Sequence, residues 1–289
     1  MPSSLPAVAP APLFQYEKWG PLVRHLAKQY QSATPFAHIQ LAPFLEAEMA
    51  QQLASDFPDL YSSEWIHYKH ANENKLGLTQ RALFPKSIGA VVDELNSAPF
   101  VAWLRELTGI PDIFADPSLE GGGLHQSEIG GFLNIHTDFS VHHHRPDWER
   151  RVNLILYLNT DWQDSWGGAL EFWDENMKQR AAHYFPRINH AVIFNTGEKS
   201  LHGFPVPLRC PPGVARKSLA LYYYSPRKMD SVVHATKYRP RPGDGLKKSL
   251  MIHFDTYVLD LYSRAKRRLR FSDRAASNLL RILAKLRPH

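Results

Sequence analysis

Arg151-Val152-Asn153-Leu154-Ile155-Leu156-Tyr157-Leu158 is almost unbroken in apolar and β-prone side chains, and its eight residues suit a strand better than a helix. With no polar face to offer water, such a run belongs to a strand covered on both sides. Lys217 to Tyr224 (KSLALYYY) has the same character and is expected to be a second central strand. Shorter β-rich runs surround these two: Gly131 to Phe139, Ala169 to Trp173 and His190 to Asn195. Trp166-Gly167-Gly168, Asn195-Thr196-Gly197 and Pro211-Pro212-Gly213 supply turns between them. Strands this short and evenly spaced, over about 121–226, predict a barrel or jelly-roll core.

On the N-terminal side, Pro35 to Asp59 opens with a short alternating pattern and then carries apolar residues at helical spacing from Phe44 to Phe57. A second helix is expected over Ile88 to Leu107, with Val91, Leu95, Phe100, Trp103, Leu104 and Leu107 on one stripe and Thr108-Gly109-Ile110-Pro111 ending it. Both helices would buttress the sheet. Residues 1–13, rich in Pro, Ala and Ser, read as a flexible leader, and 14–228 as the main domain. Residues 229–289 read as a polar connector containing RPRPGDG (Arg239 to Gly245), followed by helices over Leu246 to Leu269 and Ser272 to Leu286. The expected architecture is therefore mainly β with flanking helices and a C-terminal helical extension.

The 289 residues are 44% hydrophobic and 21% charged, enough to bury a full core. A single cysteine, Cys210, excludes an intramolecular disulfide and a Cys-based zinc site. No stretch approaches the roughly 20 apolar residues of a membrane span, and the N-terminus lacks the basic-then-apolar order of a signal peptide. A cytoplasmic location is the default expectation. The net charge of +6 is concentrated from Arg264 onward, where nine Lys or Arg face the single acid Asp273, leaving residues 1–263 at −2. Leu279, Leu280, Ile282, Leu283 and Leu286 give this basic tail an apolar face. It suits packing on its own domain, docking on a protein partner, or an anionic membrane surface to which the protein would be peripheral. No aromatic interleaving or known motif points to nucleic acid.

The sharpest chemical signal is Gly131-Phe132-Leu133-Asn134-Ile135-His136-Thr137-Asp138. Residues two apart in a strand share a face, so His136 and Asp138 can offer an imidazole and a carboxylate to one ion. His202, 64 residues after Asp138 and just past the run His190 to Asn195, can return as a third ligand. Two imidazoles and one carboxylate on one face leave three positions open, the facial triad of non-haem Fe(II) oxygenases, with room for a 2-oxo acid and O2. By contrast, His142, His143 and His144 cannot converge from one extended strand and read as a solvated or substrate-facing loop. Arg216 and Ser218 alternate onto one face at the start of the last core strand, with Lys217 opposite. A guanidinium can hold a carboxylate in a two-pronged grip that a lysine cannot copy, which makes Arg216 the candidate anchor for the far carboxylate of such an acid.

In order, GGFLNIHTD (Gly130 to Asp138), RVNLILYLNTDWQDSWGGALEFW (Arg151 to Trp173), the lone His202, and RKS at Arg216 resemble the prolyl-4-hydroxylase-like branch of the Fe(II)/2-oxoglutarate dioxygenases. PFAHIQLAPFL near the N-terminus is similar to the entry strand and helix of that branch. The resemblance implies a double-stranded β-helix of the jelly-roll, cupin-like kind, with Fe(II), 2-oxoglutarate and O2 used between its sheets and ascorbate as an activator. It implies that Tyr157 places its hydroxyl on the distal carboxylate of 2-oxoglutarate, and that Gln126 stands where some relatives have a tyrosine facing the cosubstrate. Halogenating relatives carry a small residue in place of the carboxylate, so Asp138 implies hydroxylation, with release of succinate and CO2.

Three readings of the substrate and activity stay open: an amino-acid or peptidyl, prolyl-like hydroxylase; a small-molecule or glycan hydroxylase of a biosynthetic pathway; and a jelly-roll binding module with an inactive or zinc-filled site. Val141 to Glu149 and Ser62 to Leu83 are expected to wall the substrate site. The sequence leaves the oligomeric state open.

Overall fold

The computed structural model describes residues 12–269. All but the end of the leader, and the helix expected over Ser272 to Leu286, lie outside the described residues. The described residues open with α1 (Tyr16–Trp19), α2 (Val23–Ser32), β1 (His38–Leu41) and α3 (Ala47–Ser55), then a hairpin of β2 (Ile66–His70) and β3 (Glu73–Leu78), then α4 (Lys86–Leu95) and α5 (Ala98–Thr108). The β-rich half follows as β4 (Phe114–Ala115), β5 (Gly123–Ser127), β6 (Phe132–Thr137), β7 (Trp148–Tyr157), β8 (Leu170–Trp173) and β9 (Arg180–Tyr184). It closes with β10 (His190–Asn195), β11 (His202–Phe204), β12 (Arg216–Pro226) and β13 (Lys237–Tyr238), before α6 (Gly245–Leu269).

The strands form one antiparallel path, β1-β10-β7-β12-β5-β3-β6-β11-β8-β9, that bends into a nearly closed barrel. β3 makes the corner, because its C-terminal part pairs with β5 (Leu76 opposite Gln126) and its start pairs with β6 (Glu73 opposite Leu133). Strand alternation then divides the side chains between two layers. Leu154 and Leu156 of β7, Ala191 and Ile193 of β10, and Leu219 and Leu221 of β12 join a core with Val91, Leu95, Phe100 and Leu104 of the helices. Each fully buried aliphatic side chain there contributes about 1.5–3 kcal/mol. The opposite faces of the same strands put Tyr157, Val192 and Phe194 between the two sheets, against Leu170 and Phe172 of β8. The interior left over between the sheets is where the polar residues of β6, β7, β11 and β12 collect.

Two expectations need correction. The helix expected over Ile88 to Leu107 is two helices, because Ser97 accepts a hydrogen bond from the Phe100 backbone N–H and caps α5, and Pro99 is accommodated only in a first turn. The segment after 228 is not merely a connector: β13 pairs with β6, and α6 buries Ile252 and Asp255 against the body.

Candidate active site

β6 and β11 pair so that His136 and His202 stand directly opposite one another, with ring centroids 4.4 Å apart. Asp138, two residues on from His136, lies with one carboxylate oxygen 3.6 Å from His136 Nε2 and the other 3.4 Å from His202 Nε2. One ligand atom from each of the three falls within 4.8 Å of the others, the one such group among the described residues. His136 Nδ1 lies 2.9 Å from the Asn134 carbonyl, and His202 Nδ1 lies 2.8 Å from the Ser200 carbonyl. Each Nδ1–H can thus donate to the backbone, which leaves both Nε2 lone pairs facing the gap, the tautomer a metal ligand needs. Burial, opposed by the nearby Asp138, lowers His202 to about 4, so its imidazole is neutral at physiological pH. Burial works to raise Asp138, but Arg150 and the two imidazoles override it and hold the carboxyl well below its ordinary range. This donor set fits a divalent iron: two neutral nitrogens and one anionic oxygen, oriented and preformed.

Arg150 reaches Asp138 at 3.2 Å and Asn153 at 2.9 Å, while Asn153 donates to Asp138 at 2.8 Å. The guanidinium is sandwiched by Tyr222, 3.4 Å from its ring centroid, and Phe139, at 4.7 Å. A bulge explains why Arg150 points inward: the β7–β12 register shifts between Tyr223 and Tyr224, placing Val152 opposite one and Arg150 opposite the other.

Arg216 and Ser218 line the same cavity, of about 80 Å³, as the three ligand side chains. Arg216 donates through Nε to the Gly168 carbonyl at 2.7 Å and through a terminal nitrogen to the Tyr157 hydroxyl at 3.0 Å, and its plane lies 4.2 Å from the Phe204 ring. No acidic side chain lies within 4 Å of it among the described residues. Burial accordingly lowers its affinity for its proton. A buried guanidinium with no anion of its own is costly, and a dicarboxylate would relieve that cost. Gly168 makes the arrangement possible, since at φ +74° a Cβ there would meet Leu208 at 2.7 Å and Arg216 at 3.1 Å.

Gln126 faces away. Its strand neighbours His125 and Ser127 line the cavity, whereas Gln126 sits on the opposite face, 1% exposed, with neither amide atom hydrogen-bonded. Alternation within β5 is the reason, and it takes Gln126 out of the cavity wall that its neighbours line. Lys217 also points off the cavity and packs over the Phe57 ring. Of the solvated or substrate-facing loop expected for the histidine run, the solvated part holds for His144 alone, and His143 faces a cavity beside the site. His142 is buried within 3.4 Å of Asp116, His143 lies 2.8 Å from Glu120, and only His144 is exposed.

A second cavity, of about 190 Å³, opens outward from the first and shares Lys75, His125, His136, Asp138, Arg150 and Tyr222 with it. Its outer wall adds Tyr68 and Glu73 from the β2–β3 hairpin, Glu120, His143, and Tyr238 of β13. Both segments expected to wall a substrate site, Ser62 to Leu83 and Val141 to Glu149, contribute residues to it. Lys75, His125, Arg150, Tyr222 and Tyr238 were missed as site residues. Only Asn153, a polar residue inside an apolar strand and four residues before Tyr157, hence on the same face, carried a readable signal for this inner face.

Residues 122–224, which hold β5 to β11, most of β12 and all three candidate ligands, match the 2OG-Fe(II) oxygenase superfamily model. The chain carries a 2OG-Fe(II) oxygenase domain. Its fold is similar to that of a prolyl hydroxylase from Trichoplax adhaerens, solved in complex with a peptide fragment of the hypoxia inducible factor oxygen degradation domain. That likeness has a TM-score of 0.55 at 14% identity, over 73% of this chain and 92% of that one. A Pseudomonas putida prolyl-4-hydroxylase is similar at a TM-score of 0.48 and 20% identity, over 72% of this chain and 100% of that one. HygX from Streptomyces hygroscopicus, with nickel, 2-oxoglutarate and hygromycin B, is similar at 0.45 and 10%, over 70% and 87%. No curated protein matches this chain. Residues 122–224 thus carry the oxygenase likeness, and the described residues share the double-stranded β-helix fold of the Trichoplax structure.

Proposed function

We propose that His136, Asp138 and His202 hold Fe(II), that Arg216, Tyr157 and Ser218 receive the distal carboxylate of 2-oxoglutarate, and that the oxygenase hydroxylates an amino-acid or peptidyl, prolyl-like substrate. The observation that carries this reading is the pairing, in one cavity, of a preformed two-His, one-carboxylate group with a buried guanidinium that has no acid of its own. Iron bound there would supply the O2 activation that couples decarboxylation of 2-oxoglutarate to insertion of one oxygen atom into a C–H bond. The chain's own part is orientation and exclusion. Arg150 and Asn153 hold the Asp138 carboxylate, the backbone fixes both histidine tautomers, and Phe204, Ile155 and Leu170 keep the inner wall apolar. The peptide bound by the Trichoplax enzyme supports a peptidyl or amino-acid substrate.

The test measures Fe(II) affinity by calorimetry and succinate release with Fe(II), 2-oxoglutarate and ascorbate. His136→Ala and Asp138→Ala are expected to abolish both; a variant that keeps full iron affinity would remove that residue from the ligand set.

On the exposed side of α6, Leu246, Leu250, Phe254 and Tyr257 face outward while Ile252 and Asp255 face the body. With the basic residues that follow in sequence, this stripe favours docking of the C-terminal extension on an anionic membrane surface.

A further inference from the structure

Lys75 stands at the junction of the inner and outer cavities and belongs to the walls of both. It is held there rather than swept into place by chance. Register puts Lys75 opposite Tyr68, with its ammonium 5.6 Å from that ring, and Gly77 leaves the space in which the Tyr68 ring packs, since a Cβ at Gly77 would come within 2.7 Å of it. Glu73 Oε2 lies 3.0 Å from the ammonium and is the one acidic group within 4 Å of it among the described residues. The other Glu73 oxygen is committed to His70 at 2.8 Å, and His70 is in turn bound by Asp255 of α6 at 2.7 Å. Glu73 therefore divides itself between two cations and orients Lys75 without enclosing it. An ammonium has three N–H donors, and this one has a single carboxylate oxygen to satisfy them on the protein side.

We propose that Lys75 is the anchor for a free carboxylate on the substrate, so that this oxygenase acts on a small carboxylic acid, such as a free amino acid, rather than on an internal residue of a peptide. The proposal rests on the dioxygenase reading for what happens next, but not for the binding itself. Three further observations select a single negative charge. Arg216 is engaged at the deep end of the inner cavity by Gly168 and Tyr157, and Arg150, which also lines the outer cavity, is engaged by Asp138 and Asn153, which leaves Lys75 as the ammonium with donors to offer there. Glu73 and Glu120 line that same outer cavity, so a dianion such as a phosphate monoester would face two carboxylates for one ammonium. His125, next to Lys75 in both cavities, adds no compensating charge, because burial and the neighbouring Lys75 lower it to about 3. Lys75 shares the walls of both cavities with His136 and Asp138, and that of the inner one with His202, so an acid held by Lys75 occupies the same cavities as the three candidate ligands.

The test is calorimetric binding to the protein loaded with Zn(II) and 2-oxoglutarate, which holds the site closed to turnover. The probes are the free L-amino acids and a set of small hydroxy acids, each paired with its carboxamide, and a blocked proline-containing peptide. At least one acid is expected to bind tenfold or more tightly than its amide. Lys75→Gln should erase that preference, and Lys75→Arg should keep it to within about threefold. If Lys75→Gln does not fold, the wild-type acid-to-amide ratio and the arginine variant carry the decision. Equal binding of acid and amide, binding of no acid in the set, preference for the blocked peptide, or an undiminished preference in Lys75→Gln would each overturn the proposal. Succinate release is measured separately: acids that bind to a protein that turns over no 2-oxoglutarate would condemn the dioxygenase reading and leave the carboxylate site standing.

Discussion

At the scale of single residues, the cosubstrate end offers the clearest energetic argument. Arg216 has two fixed contacts, to the Gly168 carbonyl and the Tyr157 hydroxyl, which orient its remaining donors into the cavity. A lysine there would keep the charge but lose the planar grip, and a hydrogen bond to a charged group is worth about 1.5–3 kcal/mol. Arg216→Lys is therefore expected to raise the KM for 2-oxoglutarate by about 10- to 100-fold. Tyr157→Phe removes a neutral contact of about 1 kcal/mol and should raise it about fivefold. Both are read from the 2-oxoglutarate dependence of succinate release. An unchanged KM in Arg216→Lys would mean that the distal carboxylate lies elsewhere. The ligand candidates and Arg216 were legible because period-two alternation and residue chemistry act locally. Gln126 was misread for a physical reason: counting back from His136 gives a position along the chain but not which face of the preceding strand it occupies. Arg150 was hidden by a bulge, which reverses alternation and leaves no mark in composition.

At the scale of elements, the docking of α6 on the β2–β3 hairpin rests on a buried charge chain. Burial alone would push His70 down, but the hydrogen bonds and charges of Asp255 and Glu73 raise it to about 9 from an ordinary 6.5. Because the folded value is the higher one, this contribution to stability is complete below about 6.5 and is lost as pH rises through about 9. Glu73 has the opposite sign. Burial opposes its ionisation, but Lys75 and His70 hold it far below its ordinary 4.5, so its contribution is present above that value and fades only in strong acid. Wild-type protein should thus lose thermal stability between pH 7 and 10 more steeply than Asp255→Asn, and hydrogen exchange in α6 should accelerate over the same window. A variant with the same pH slope as the wild type would show that His70 does not carry the effect. Asp255→Ala, which strands His70 beside one carboxylate, is expected to cost about 3 kcal/mol in denaturant unfolding. None of this was visible in sequence, where 185 residues separate His70 from Asp255. The helix break was different. Ser97-Ala98-Pro99 is a start signal in plain view, and an apolar stripe that continues across it concealed it. Ser97→Ala should cost about 1 kcal/mol by removing the cap.

At the scale of the molecule, the barrel itself was legible because both central strands are apolar on two faces and few architectures cover such strands. The corner at β3 was not, since a hairpin that pairs at one end with β5 and at the other with β6 has no signature in its own residues. Charge is the remaining whole-molecule feature. Residues 1–263 sum to −2, and the surplus of eight lies in residues 264–289. Among the described residues no helix is long and apolar enough to cross a membrane, so any membrane contact of these helices would be at the surface. The exposed stripe Leu246, Leu250, Phe254 and Tyr257 provides buried area for such a contact, and the basic residues provide attraction of about 1 kcal/mol each near an anionic leaflet. If both act, binding to vesicles containing phosphatidylserine should fall steeply with salt, and vesicles of phosphatidylcholine alone should bind at least tenfold more weakly. Removing residues 264–289 should abolish the preference for anionic vesicles while leaving Asp255 and the cavity walls in place. Leu250→Ser with Phe254→Ser should weaken binding to both vesicle types but keep the salt dependence. Equal binding to neutral and anionic vesicles would exclude the charge as the cause, and no binding to either would return the extension to the role of a helix packed on its own domain.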